Sequence, residues 1–230
     1  MLSFKCRGAV RLLAVAFLAG GVWGSIGVAT ASAAGTITVC ASGCNYTDIQ
    51  SAVNASSSGD TIQVGAGTYT QTIDVNQSVT IEGAGPGNTI IDADPGTIVN
   101  RFTLAPSGDD LTNYPIVYAD APEVTIEDLT VDGLDDGNSV GERFEGIAEY
   151  NDNLTVNDVH VTGISDSPPS GDQTGDAIYA VNDQSTGRHV TITNSRISDY
   201  QKNGITVDGN SDVTVDISGN TMRHQRVSTS

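Results

Sequence analysis

One eight-residue phrase recurs along the chain and limits what it can fold into. It reads VTIEGAG from Val79, VTIEDLTV from Val124, LTVNDVHV from Leu154, VTITNSRI from Val190 and VDISGNTM from Val215. In the last four copies the first, third and eighth places are apolar: Val124/Ile126/Val131, Leu154/Val156/Val161, Val190/Ile192/Ile197 and Val215/Ile217/Met222. The fifth place holds Gly83, Asp128, Asp158, Asn194 and Gly219, residue types that tolerate a left-handed backbone better than others. The phrase predicts two short strands joined by a bend at a fixed place. A third strand precedes it, as PIVYA from Pro115, GIAEY from Gly146, AIYAV from Ala177 and GITVD from Gly204.

Repeats of about 20 to 50 residues that cannot bury their own apolar face must stack on neighbours. Three short strands per repeat without a second helix favour a parallel β-helix over leucine-rich or helical solenoids. A propeller needs four longer strands per blade, and a two-sheet sandwich leaves the in-register bend unexplained. The stretch YTDIQSAVNASSSGDTIQVGAGTYTQTIDV, from Tyr46, begins differently. Thr47 and Gln50 have capping-box spacing, and Ile49, Ala52 and Val53 share one helical face. Alternating strands then follow at Thr61 and Thr72. This stretch is similar to the N-terminal cap and first coil of the pectin-lyase-like superfamily, which includes pectin methylesterases. The resemblance spans residues 36 to 224. It implies an all-β, right-handed parallel β-helix, a solenoid with a short N-terminal capping helix, its first corner shaped by Gly65, Gly67 and Tyr69.

Residues 1–33 carry Lys5, Arg7 and Arg11 ahead of an apolar run and end in small residues. That is the pattern of a secretory signal peptide. It leaves residues 34–230 as one β-helix domain, without a membrane span after cleavage, secreted or displayed at the cell surface. Cys40 and Cys44 then suit a local disulfide in an oxidising compartment. The formal net charge of −18 excludes nucleic acid or anionic membrane as a bulk electrostatic partner.

Solenoids carry their variation in stacked loops, and here the surplus residues fall in 132–145, 163–176 and 99–114. Their acids predict a carboxylate-lined groove for extracellular polysaccharide, with Asp132, Glu142, Glu145, Asp176, Tyr150 and Tyr179 as binding residues. Asp132, Asp135 and Asp136 could hold calcium, which prefers clustered carboxylate oxygens, although solvated acidic turns have the same composition. In the superfamily's lyases a metal acidifies the proton beside a uronate carboxylate and a basic side chain removes it. Arg143 is the loop base best placed for that role, with Arg196 and Lys202 weaker. Asp135 and Asp136 are the candidates for paired-carboxylate hydrolysis. The Asp-Phe-Ile-Phe-Gly, Asp-His and Gly-His-Gly motifs of the superfamily's esterases, pectate lyases and polygalacturonases are absent. No catalytic assignment transfers, so binding, divergent lyase or glycosidase chemistry, and a structural or adhesive role all stay open. After Met222 the sequence shows no capping pattern. That predicts a fragment of a longer β-helix or self-association through an open last coil.

Overall fold

A computed structural model describes residues 33–104, 111–140, 143–171, 174–209 and 212–224. The proposed signal segment, Asp109, Asp110, Glu142 and Asp172 lie outside the described residues. Two sheets carry the fold. The larger comprises β1 (Thr36–Val39), β2 (Thr61–Val64), β3 (Gly67–Thr70), β5 (Thr80–Glu82), β6 (Thr89–Asp92), β9 (Glu123–Asp132), β11 (Asn153–Thr162), β13 (Arg188–Thr193), β14 (Arg196–Ser198), β16 (Val213–Ser218) and β17 (Thr221–Arg223). The smaller comprises β4 (Ile73–Val75), β7 (Phe102–Leu104), β8 (Leu111–Ala119), β10 (Arg143–Tyr150), β12 (Asp176–Asn182) and β15 (Asn203–Gly209). The main path of the first sheet is β1-β2-β5-β9-β11-β13-β16 and that of the second is β4-β8-β10-β12-β15, all parallel. The strands expected at PIVYA, GIAEY, AIYAV and GITVD lie in β8, β10, β12 and β15 of the second sheet.

Register explains why the phrase repeats. Ile62, Ile81, Ile126, Val156 and Ile192 are successive partners across the first sheet, and all are fully buried. Each buried side chain of this size contributes about 1.5 to 3 kcal/mol of transfer free energy. Between the strand halves, Asp128, Asp158, Asn194 and Gly219 take φ of 56°, 49°, 53° and 69°, the left-handed bend expected at the fifth place. Gly83 serves its coil differently: a Cβ there would lie 2.2 Å from the Asp128 carbonyl oxygen. In β9 and β11 the ladder continues through the bend, so the two expected short strands form one ten-residue strand.

Helix α1 (Ile49–Ala55) packs against β1, β2 and β4 through buried Ile49, Ala52 and Val53. Its N-cap is Asp48, whose carboxylate accepts the Ser51 amide at 2.8 Å. The expected Thr47–Gln50 box is not formed, because the Gln50 side chain joins the second sheet instead. It accepts from the Asp74 amide at 2.7 Å and donates to the Asp74 carbonyl at 3.1 Å. Cys40 and Cys44 form the expected disulfide, and the Tyr69 hydroxyl donates to the Gly65 carbonyl at 3.0 Å. At the other end, Val215, Ile217 and Met222 are 42%, 44% and 53% exposed. The same places of the phrase are buried in the coils of β9, β11 and β13/β14.

Candidate functional site

In β8, β10 and β12 two consecutive residues turn inward: Ile116-Val117, Gly146-Ile147 and Ala177-Ile178. This doubling breaks strict alternation and sends the residues on either side to the outer face. Three in-register rows result. Pro115, Glu145, Asp176 and Asn203 form one; Tyr118, Ala148, Tyr179 and Thr206 form the second; Tyr150, Val181 and Asp208 form the third. Arg143 precedes Glu145 by two residues and shares its face.

Two acids on this face, Glu145 and Asp176, are buried. Asp176 accepts from Asn203 Nδ2 at 2.6 Å and from the Thr206 hydroxyl at 3.3 Å, and Lys202 Nζ stands 3.9 Å away. Glu145 is 0% exposed, and neither of its oxygens meets a partner in full hydrogen-bond geometry, the Tyr114 amide reaching the carboxyl only loosely. Burial holds its carboxyl well above the usual range and the Asp176 carboxylate adds to this, while Arg143, the Tyr114 amide and Lys202 draw it partly back. Both causes disfavour the ionised form. Arg143 Nη1 donates to the Tyr179 hydroxyl at 2.7 Å, and its guanidinium carbon lies 5.2 Å from that ring's centroid. Its Nε is buried without a partner.

The tyrosines make a platform. Phe102, from β7, stacks on Tyr150 at 5.1 Å, Tyr118 at 5.6 Å and Tyr179 at 6.3 Å. With Ala148 and Val181 they form an apolar cluster separate from the main core. Burial first, then Asp120, Asp152, Asp74 and Glu149, push the Tyr118 hydroxyl far above the ordinary tyrosine range. Burial also raises Tyr179, against the opposing Arg143. Tyr150 donates to Asp183 Oδ2 at 2.5 Å. Strand β7 is antiparallel on the first residues of β8 and is tied down by the Arg101–Asp74 ion pair at 2.9 Å.

The parallel sheets and registered bends agree with the strand-bend-strand repeat read from the sequence. A crystal structure of a pectin methylesterase in complex with a hexasaccharide matches at TM-score 0.48 and 13% identity, covering 83% of this chain and 66% of that one. The match assigns no residue a role here. No protein-family model matches the chain, and no curated protein matches it.

Of the residues proposed from sequence, Glu145, Asp176, Tyr150, Tyr179 and Arg143 come together on this face. Asp132, Asp135 and Asp136 do not join them. Asp132 Oδ1 accepts the Leu134 amide at 2.9 Å, Asp135 Oδ1 accepts the Ser165 hydroxyl at 2.5 Å, and Asp136 precedes a short 3-10 turn (Gly137–Ser139). Among the described residues no group of three His, Cys, Asp or Glu is arranged to hold a metal ion. Asp132 and Asp135 are used in building the turns. The surplus loops do stack: Ser167 donates its amide to Asn138 Oδ1 at 2.6 Å, and Gly137 donates to the Ser165 carbonyl at 2.9 Å. Arg196 lines a hollow with His160 and Asp158 on the first sheet. Phe102 and Glu149 are additions that sequence reasoning missed. Glu149 points inward between Ala119 and Ala180, and its vacant-looking apolar place was the available signal. Burial raises its carboxyl to about 7.

Proposed function

We propose that the protein is an exported β-helix that binds extracellular polysaccharide along the outer face of the second sheet. The observation that carries this reading is the junction of a tyrosine platform with Glu145, an outward-facing carboxyl that is buried without a well-formed hydrogen bond. An unsatisfied buried carboxyl destabilises a fold, so its retention on a sheet face is a functional signature. In this reading the sheets wind right-handed into a closed solenoid, α1 caps the N-terminal end, and residues 1–33 direct export. The tyrosine faces supply apolar stacking area with polar tips, while Glu145, Asp176, Arg143 and Lys202 supply directional contacts.

A second reading is favoured by the burial of Glu145 beside Asp176. A carboxyl whose environment favours the protonated form can act as a proton donor while a neighbouring carboxylate accepts a proton, the division of labour used in glycan cleavage. Glu145 would protonate the leaving oxygen, and Asp176 would take the proton from water or from the sugar. Titration of the mature chain with a panel of plant, algal and bacterial glycans, alongside reducing-end and unsaturated-uronate assays with and without calcium, separates the readings. Binding without product supports the first. Product formation that falls at least about a hundredfold in Glu145→Gln, with binding retained, supports the second. Neither binding nor product removes both.

Self-association belongs to the same proposal. Val215, Ile217 and Met222 expose apolar area on the last described coil, and strand edges of this kind pair with other chains. Sedimentation at rising concentration should show association; a chain that stays monomeric would leave that coil without the role.

A further inference from the structure

One ring in the tyrosine platform belongs to none of its three rows. Phe102 reaches the face from β7, and its plane lies within 5° of Tyr150, 12° of Tyr179 and 22° of Tyr118. Those tyrosines come from three successive coils, so together they form a seat for a flat apolar disc. Two unsatisfied groups lie on the same face. Arg143 Nε is a buried donor without an acceptor, and Glu145 has two buried oxygens without a well-formed hydrogen bond. Buried polar groups are ordinarily paired, and this pair calls for a ligand that both donates and accepts.

We propose that Phe102 is a stand-in for a sugar ring, and that the seat takes an uncharged pyranose unit. This rests on the saccharide reading of the second sheet and names the class of sugar. The C–H face of a pyranose is close to a phenyl ring in size and can stack on the tyrosines in its place. Its neighbouring hydroxyls accept from Arg143 Nε and hydrogen-bond Glu145. A uronate fits the vacancy worse: its carboxylate accepts only, and it meets Glu145 and Asp176. Lys202 already faces Asp176 and Arg143 Nη1 already donates to Tyr179, which leaves Arg143 Nε as the open donor.

Strand β7 is held at its edge of the sheet. β7 pairs with β8 over three residues, Phe102↔Asn113 to Leu104↔Leu111, outside the parallel ladder of the second sheet. Further ties are the Arg101–Asp74 pair, whose side chains are 22% and 28% exposed, the Asn113 Nδ2 bond to the Phe102 carbonyl at 3.1 Å, the Arg101 amide bond to the Asn113 carbonyl at 2.9 Å and the Asn113 amide bond to Asn100 Oδ1 at 3.1 Å. The Phe102 cluster is not continuous with the main core. Such a segment can open locally while the coils stay folded.

The test compares wild type with Phe102→Ala, both checked for folding by circular dichroism. The probes are neutral hexasaccharides of glucose, mannose and galactose and a galacturonate hexasaccharide, titrated calorimetrically, with hydrogen exchange followed at residues 102–104. The expected result is at least tenfold tighter binding of a neutral hexasaccharide by the variant. In wild type the same sugar should speed exchange at residues 102–104, because it displaces β7. Should Phe102→Ala fail to fold, Phe102→Leu keeps apolar cover without a flat ring and should still bind tighter. Binding with unchanged affinity in the variants, slowed exchange at β7, or preference for the galacturonate probe would each overturn the stand-in while leaving saccharide binding intact. No binding of any probe by either protein overturns both.

Discussion

The two sheets present alike inner faces and unlike outer ones. Outside the first sheet, Thr36, Thr61, Thr80, Thr125, Thr155 and Thr191 follow one another in register, half-buried or exposed. Threonine suits this position because its branched side chain fits a pleated surface and its hydroxyl can meet water. Outside the second sheet the corresponding rows hold Tyr118, Tyr179, Glu145 and Asp176, all nearly or fully buried. The stacked core needs only the inner rows. The outer rows are free to vary, and those of the second sheet hold buried aromatic and acidic side chains where the first holds threonine.

The largest expected effect tests the sameness of the inner faces. Val156→Asp on the first sheet and Ile178→Asp on the second each place an unpaired charge at a fully buried site. Each should cost about 4 kcal/mol or more, enough to abolish a cooperative melt. If either variant melts like wild type, the inward assignment for that sheet is wrong. The next contrast separates the outer faces. Tyr179→Ala should cost about 3 kcal/mol through its lost packing, whereas Thr155→Ala should stay within about 0.5 kcal/mol. Equal losses in chemical denaturation would erase the distinction.

A smaller effect reads the charge buried inside the second sheet. Glu149 has a folded pKa of about 7, above its unfolded value near 4.5. The fold therefore favours the protonated acid. This stabilising preference is fully present below the unfolded pKa and is lost as pH rises through about 7. Glu149→Gln should accordingly be more stable than wild type at pH 8, by about 2 to 3 kcal/mol, and gain little at pH 4. A gain independent of pH would point to packing instead of ionisation.

How far the sequence revealed this division differs between the faces. The inner rows were legible because every coil repeats the same apolar places, and the bend at Asp128, Asp158 and Asn194 announces itself by residue type. The third strand was legible too, so Glu145, Asp176, Tyr150 and Tyr179 could be singled out. Their shared face was not, because the doubled inward pair at Ile116-Val117 and Ala177-Ile178 reverses the alternation that a reader would extend. Phe102 was hidden for a different reason: β7 is antiparallel and lies outside the repeat. For Asp132, Asp135 and Asp136 the sequence offered two readings, because turn-building and cation-binding loops share one composition.

The central claim is that saccharide recognition belongs to the outer face of the second sheet. Chemical-shift mapping of the mature chain with the neutral hexasaccharides tests it most directly. The expected perturbations fall on Tyr118, Arg143, Glu145, Tyr150 and Tyr179, with Thr125, Thr155 and Thr191 unmoved. Perturbations confined to the threonine row, or to the loops around Asp135 and Asp166, would contradict it.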